Sequence, residues 1–213
     1  MERAAGEGKN TMIVLHHCTG ARSMRPLWTM EEMGIPYDLK VWPFPPRALA
    51  KDYLGTNLLG TVPYLIDGDV RMTESSGACL YLAQTYGPTD LMLNPGEAEW
   101  GQFLNWLFYS DATLTFPLTI KLRYTRLEPP ERRAVQAAED YEKFFLGRLR
   151  LVEAALEGRT WLVGGRFTIA DIAVGYALYL ADTLGLAGQF SPRAAAWYAR
   201  LRERPAFVRA EAL

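Results

Sequence analysis

The strongest constraint in this sequence is a change of period near residue 95. Short β-type runs alternate with helical ones before it, and only long amphipathic helices follow it. Such a chain closes neither one uniform sheet nor one uniform bundle. It predicts two parts, one α/β and one all-α, and 213 residues suffice for each to bury a core of its own.

In the first part, MIVLHHC (residues 12–18) is an apolar run with β-branched residues, the pattern of a buried strand. The turn TGARS leads into a helix over SMRPLWTMEEM, where Ser23 can cap, Pro26 comes too early to need a donor, and Gly34 ends the helix. YDLKVW (residues 37–42) predicts a second strand, and PFPP forces a loop. A weak helical stretch over residues 47–53 precedes VPYLI and VRMT, two short strands joined by the hairpin signal DGD. ESSGACLYLAQTY then places apolar residues at helical spacing. The expected order is βαβ followed by ββα on a small mixed sheet, over residues 11–87. GPTDLMLNPGE (residues 87–97) has the proline and glycine of a linker, and residues 96–213 predict an all-helical bundle.

Composition excludes several classes of function. A net charge of -1 offers no basic surface for nucleic acid or an anionic membrane. The two cysteines, Cys18 and Cys79, are far too few for a disulfide framework and fit a reducing compartment. The polar opening MERAAGEGKN lacks the apolar core of a secretory signal, and charged residues interrupt every apolar run before it can span a bilayer. The expected location is therefore the cytoplasm. His16 and His17 point to opposite faces of a strand, so no shared metal is expected.

Three motifs carry chemistry. GTVPYL (residues 60–65) puts a proline inside a strand pattern, where it deletes a rung of the ladder. That fits a strand end, an edge or bulge, or a backbone reserved for something other than the sheet. Glu74 and Ser75 stand where a strand hands over to a helix, so Ser75 can cap and the first free N–H groups can attract an anion. Thr168 and Asp171 form a capping box with Phe167 and Ile172 as its staple; loss of the Asp171 cap is expected to cost about 0.5–2 kcal/mol.

Taken with the element order, TVPYL, ESSGACLYLA and FTIADIAVGYAL resemble the cytosolic glutathione transferases, and the likeness runs over nearly the whole chain from Met12. The resemblance implies a thioredoxin-like N-terminal domain with a cis bond between Val62 and Pro63, which frees the Val62 N–H and C=O to pair with glutathione laid beside the sheet. It implies that Ser75 and the helix start hold the γ-glutamyl carboxylate and Glu74 the α-ammonium. Lys51 is the candidate for the glycyl carboxylate, and Asn57 matches a family asparagine. Glutathione enters as a co-substrate and no metal is implied. A homodimer is implied as well, joining one subunit's N-terminal domain to the other's helical domain. The electrophile is expected between the domains, against Trp106, Tyr109, Ser110, Thr113, Phe116 and Tyr124, although aromatic spacing of this kind also suits a bundle core.

The reactive group in such enzymes is the glutathione thiolate, which a hydrogen-bond donor, a cation or a helix start after the first strand must favour. Here the position of the family's serine or cysteine falls on Gly20, and that of its tyrosine on His16. The candidates are Ser23 together with Arg22, then Thr19; Ser23 is equally a helix cap. Cys18 is either a packed thiol or, as in thiol-reductase branches, a partner in a mixed disulfide. The expected activity is conjugation of glutathione to small hydrophobic electrophiles. A glutathione-dependent peroxidase or disulfide reductase, leaning on Cys18, is one alternative; a non-catalytic binding protein, suggested by Gly20, is the other.

Overall fold

The computed structural model of the chain describes residues 12–213, so residue 11, at the head of the expected first domain, lies outside the described residues. Strand β1 (Ile13–His17) runs parallel to β2 (Tyr37–Val41) and antiparallel to β3 (Tyr64–Asp67), which pairs antiparallel with β4 (Val70–Met72). The sheet order is β2-β1-β3-β4. Parallel neighbours need a long crossover, which α1 (Met24–Met33) supplies; antiparallel β3 and β4 need only a tight turn. Helix α2 (Pro46–Leu49) and a single tight turn, Lys51–Gly55, fill the connection to β3, and α3 (Ser75–Thr85) follows β4. This is the βαβ-ββα order of a thioredoxin-like domain.

The helical part comprises α4 (Trp100–Tyr109), α5 (Phe116–Leu122), α6 (Val135–Ala155), α7 (Ile169–Thr183), α8 (Pro192–Arg202) and α9 (Pro205–Glu211). Two wide turns, Ser110–Thr115 and Arg123–Leu127, flank α5. In the first, the Phe116 N–H donates to the Asp111 carbonyl five residues back. Pro117 comes next; it has no N–H, and its ring would collide with the carbonyl of an ordinary turn, so the extra residue relieves a conflict written in the sequence.

Helix α1 packs against α3, α7 and α9, which builds one helix of the α/β part into the helical core. Trp28 has no exposed surface and meets Phe207 edge-on at 5.0 Å and Phe167 at 5.8 Å. Truncating such a ring costs about 3–5 kcal/mol. Glu32 accepts from the Trp28 indole and, in a bidentate pair, from Nε and Nη2 of the Arg204 guanidinium, at 2.6 and 2.8 Å, fixing α9 to α1.

At the start of α7, Ala170 N–H donates to Thr168 Oγ1 and Thr168 N–H to the Asp171 carboxylate, so the capping box forms. Asp171 also accepts from Leu162 N–H and Trp197 Nε1. The other two expected caps differ. Ser23 occupies the N-cap position of α1 with a helical backbone and no capping bond, and Glu74, not Ser75, occupies that of α3. Among the described residues no helix is long and apolar enough to cross a membrane.

Candidate functional site

A cavity of about 370 Å³ opens between the sheet and the helical part. Its sheet-side wall comes from the loop after β1, with Thr19, Gly20 and Arg22, from Arg47 in α2, and from Gly60, Thr61 and Val62 ahead of β3. Facing it are two helical stripes. Thr115, Thr119, Leu122 and Arg126 follow one face through α5 and its wide turn, and Tyr176, Leu180 and Thr183 follow one face of α7.

Two pieces of backbone are held at this wall. The Val62–Pro63 bond is cis, and the paired register of β1 and β3 begins with His16 opposite Tyr64, so Val62 stands beyond the ladder and lines the cavity. Pro63 is buried behind it. The Thr61 carbonyl accepts from Tyr53 Oη and from Asn57 Nδ2, each at 2.9 Å, while Leu59 N–H donates to Asn57 Oδ1. Gly60 lies so near α2 that a Cβ there would meet the Arg47 Cβ at 2.6 Å. In the loop after β1, Gly20 takes a left-handed backbone, φ 74°, with nothing within 4 Å of where a Cβ would project. The constraint is backbone conformation, not crowding. Tyr176 donates to the Gly20 carbonyl at 3.2 Å; burial pushes its phenol up to about 12, so the donor keeps its proton at neutral pH.

Arg22 crosses the cavity. Its Nη2 donates to Thr119 Oγ1 at 3.0 Å, and its Nε, 3.8 Å from the Asp111 carboxylate, is buried without a hydrogen-bond partner. Thr19 is exposed in the same wall. Ser23 is fully buried away from it, and its Oγ accepts from Cys18 N–H at 3.3 Å.

The sequence profile described as "Glutathione S-transferase, N-terminal domain" matches residues 20–85, and that described as "Glutathione S-transferase, C-terminal domain" matches residues 136–200. The chain belongs to the glutathione S-transferase family. Glutathione S-transferase 3 of Schizosaccharomyces pombe is 25% identical to it over 206 residues, covering 92% of this chain and 85% of that one. The crystal structure of a glutathione transferase from Methylococcus capsulatus is 26% identical, with a TM-score of 0.81 over 94% of this chain and 98% of that one. Ure2p in complex with glutathione, 23% identical, shares the fold, with a TM-score of 0.82 over 96% of this chain and 100% of that one.

In this glutathione transferase the remaining candidates lie outside the cavity wall. Cys18 is buried, its thiol donates to the Pro43 carbonyl at 3.7 Å, and burial pushes it up to about 11, so it is a thiol and not a thiolate at neutral pH. His16 Nδ1 accepts from Trp42 Nε1 within a cluster of rings. Among the described residues no His, Cys, Asp and Glu side chains group as a metal site would require. Lys51 is exposed beyond the wall, where Arg47 stands instead. Glu74 is exposed with no capping bond, and the N–H groups of Ser75, Ser76 and Gly77 precede the first bond of the helix, Ala78 N–H to Glu74 C=O. The serine hydroxyls turn inward: Ser75 Oγ accepts from Arg25, and Ser76 Oγ donates to Asp111 at 2.7 Å.

The aromatic stripe also falls elsewhere in this transferase. Trp106 is buried edge-on to Tyr109, whose hydroxyl donates to the Arg148 carbonyl, and Ser110 is buried against Leu107 and Ser76. Thr113 lies in the wide turn, Phe116 is exposed beside Tyr141, and Tyr124 sits under Arg123. None of them lines the cavity. Sequence reasoning missed Thr115, Thr119, Leu122, Arg126, Tyr176, Leu180 and Thr183. The α7 set was open to it, because residues 176, 180 and 183 share one face of the helix that the motif FTIADIAVGYAL opens; the α5 set was not, because the wide turn shifts its phase.

Proposed function

We propose that this glutathione transferase joins the sulfur of glutathione to small hydrophobic electrophiles held in the same cavity, working as a homodimer in the cytoplasm. The observation that carries this reading is one cavity with two unlike walls: the Val62 backbone beyond the ladder on one side, and Leu122 and Leu180 within the helical stripes on the other. An extended tripeptide pairing with Val62 would be bound as an added strand, and Ure2p binds glutathione on the same fold. The free N–H groups at the start of α3 suit the γ-glutamyl carboxylate, and the unpartnered Glu74 suits its α-ammonium. Arg47, with Lys51 farther out, suits the glycyl carboxylate.

In this reading Arg22 and Thr19 favour the thiolate, one by charge and the other by a hydroxyl donor, while Ser23 holds the loop through Cys18 N–H. The thiolate lone pair forms the new bond to carbon, the leaving group departs with its electron pair, and the thiol proton is released to solvent. Two buried free cysteines accord with a reducing compartment. A second reading, a binding protein without catalysis, is favoured by the missing side chain at Gly20.

Retention on immobilised glutathione together with turnover of 1-chloro-2,4-dinitrobenzene tests the proposal. Retention with no turnover of any aromatic halide would favour the second reading. Failure to be retained would remove both, and a monomer in sedimentation would remove the dimer.

A further inference from the structure

The charge of the cavity is one-sided. Arg22, Arg47 and Arg126 line it, and among the described residues no Asp or Glu does. Arg22 is partly balanced by Asp111 at 3.8 Å. Arg47 belongs to the sheet-side wall, against Gly60, where the proposed function assigns a glutathione carboxylate. Arg126 differs from both. It lies on the helical wall with Leu122 and Leu127, its Nη2 is tied to the Thr183 carbonyl at 2.5 Å, and among the described residues it forms no ion pair with a carboxylate. That one tie anchors the guanidinium, whose remaining N–H groups face solvent on an exposed side chain and are open to a ligand.

An anchored arginine beside apolar side chains, on the wall that faces the co-substrate, is suited to a planar anion carried by an apolar body. The hydroxyls of Thr115, Thr119, Tyr176 and Thr183 on the helical walls already donate to backbone carbonyls, so Arg126 is the group there with N–H donors left for an anion. We infer that the preferred electrophile carries a carboxylate or a similar planar anion that Arg126 binds, with its carbon skeleton against Leu122 and Leu127. This inference rests on the conjugation reading above and narrows its substrate class from hydrophobic to amphipathic.

The experiment compares two aryl chlorides of similar shape, neutral 1-chloro-2,4-dinitrobenzene and anionic 4-chloro-3,5-dinitrobenzoate. In each, the glutathione sulfur replaces chloride at the ring carbon, and each kcat/KM is divided by the uncatalysed rate constant. The wild-type ratio is expected to favour the benzoate about tenfold, the worth of one charge-assisted contact. Arg126→Gln is expected to abolish that preference, and Arg126→Lys to restore part of it. A wild-type ratio at or below one, or a ratio unmoved by Arg126→Gln, overturns the inference. Should neither chloride react, which would count against conjugation itself, calorimetry with the two finished S-aryl conjugates decides the matter: tighter binding of the carboxylate form, lost in Arg126→Gln, supports the inference, and equal binding overturns it.

Discussion

Arg25 and Asp111 form an ion pair between the two halves of the molecule, and the Arg25 side chain has no exposure to solvent. All five N–H groups of Arg25 have acceptors: the Ala173 carbonyl, Ser75 Oγ, the Asp111 carboxylate, the Ser110 carbonyl and Thr115 Oγ1. Burial pushes the Asp111 carboxyl up, but Arg25, the Ser76 hydroxyl and Arg22 outweigh it and hold it below the ordinary range. A buried guanidinium is costly unless it is paired and fully bonded, so removing one partner does more harm than removing both. Asp111→Ala is expected to lower stability by about 3 kcal/mol. Arg25→Met combined with Asp111→Ala should lose clearly less than the sum of the two single losses, a coupling of about 1–3 kcal/mol by urea unfolding. Additive losses would show that the pair does not join the halves.

Two buried titratable groups oppose one another in their response to pH. His17 has an Nδ1 without a partner, and burial pushes it from 6.5 down to about 4. A folded value below the unfolded one means stability present above pH 6.5 and lost as pH falls toward 4, about 3 kcal/mol in all. Asp171 is pushed by burial from 3.8 up to about 6. A folded value above the unfolded one means stability present at low pH and lost as pH rises through about 6, again about 3 kcal/mol. Between about pH 4 and 6 the two slopes cancel. Relative to wild type, His17→Leu is expected to lose stability as pH rises through that window and Asp171→Asn to gain it, because His16 and carboxylates such as Glu99 and Glu142, which are also pushed down, act alike in all three proteins. Urea midpoints measured across the window check all three; parallel curves would contradict the account.

Asn57 and Tyr53 reach the site through one atom, the Thr61 carbonyl, and so fix the backbone that leads to Val62. In the proposed function they are positioning residues. Asn57→Ala is expected to raise the KM for glutathione about tenfold with a much smaller change in kcat, because it loosens a binding strand and touches no reacting atom. Tyr53→Phe, which leaves the Asn57 bond, should raise it less. Steady-state kinetics with glutathione varied would separate this from general destabilisation, which would lower the active fraction and hence apparent kcat.

The strands and α1 were legible because β1, its turn and its crossover each carry a local pattern: β-branched residues, Pro26 inside a first turn, Gly34 at a helix end. The Thr168–Asp171 box was legible for the same reason, being a short motif whose partners are a few residues away, whereas the cis Val62–Pro63 bond was implied by the resemblance to the family, since the residues alone left a plain strand end open. The helical wall of the cavity was not. Counting a regular helical repeat onward from Trp106 leads to Ser110, Thr113 and Phe116, and one extra residue in the turn before Pro117 moves the facing stripe to Thr115, Thr119 and Leu122. The fate of Ser75 was hidden too, since the arginine that takes its hydroxyl lies 50 residues away in sequence.

Arg22 and Thr19 are the groups on which thiol activation depends in the proposed function. A cation within about 4–6 Å of a thiol lowers its pKa by about 1–3, and a lone hydroxyl donor does less. Arg22→Ala is therefore expected to raise the pKa of bound glutathione's thiol by about 1, toward the free value near 8.5, and Thr19→Val by a smaller amount. The sign fixes the pH dependence: a raised thiol pKa removes thiolate most at low pH, so the Arg22→Ala defect in kcat/KM should be about tenfold near pH 6.5 and fade as pH approaches 9. Thr119→Val separates charge from anchoring. It removes the acceptor of Arg22 Nη2 and keeps the cation, so the thiol pKa should move little while the KM for the electrophile rises. Thiolate absorbance of bound glutathione against pH gives the first quantity directly. Identical titrations in wild type, Arg22→Ala and Thr19→Val would assign the activation to some other group.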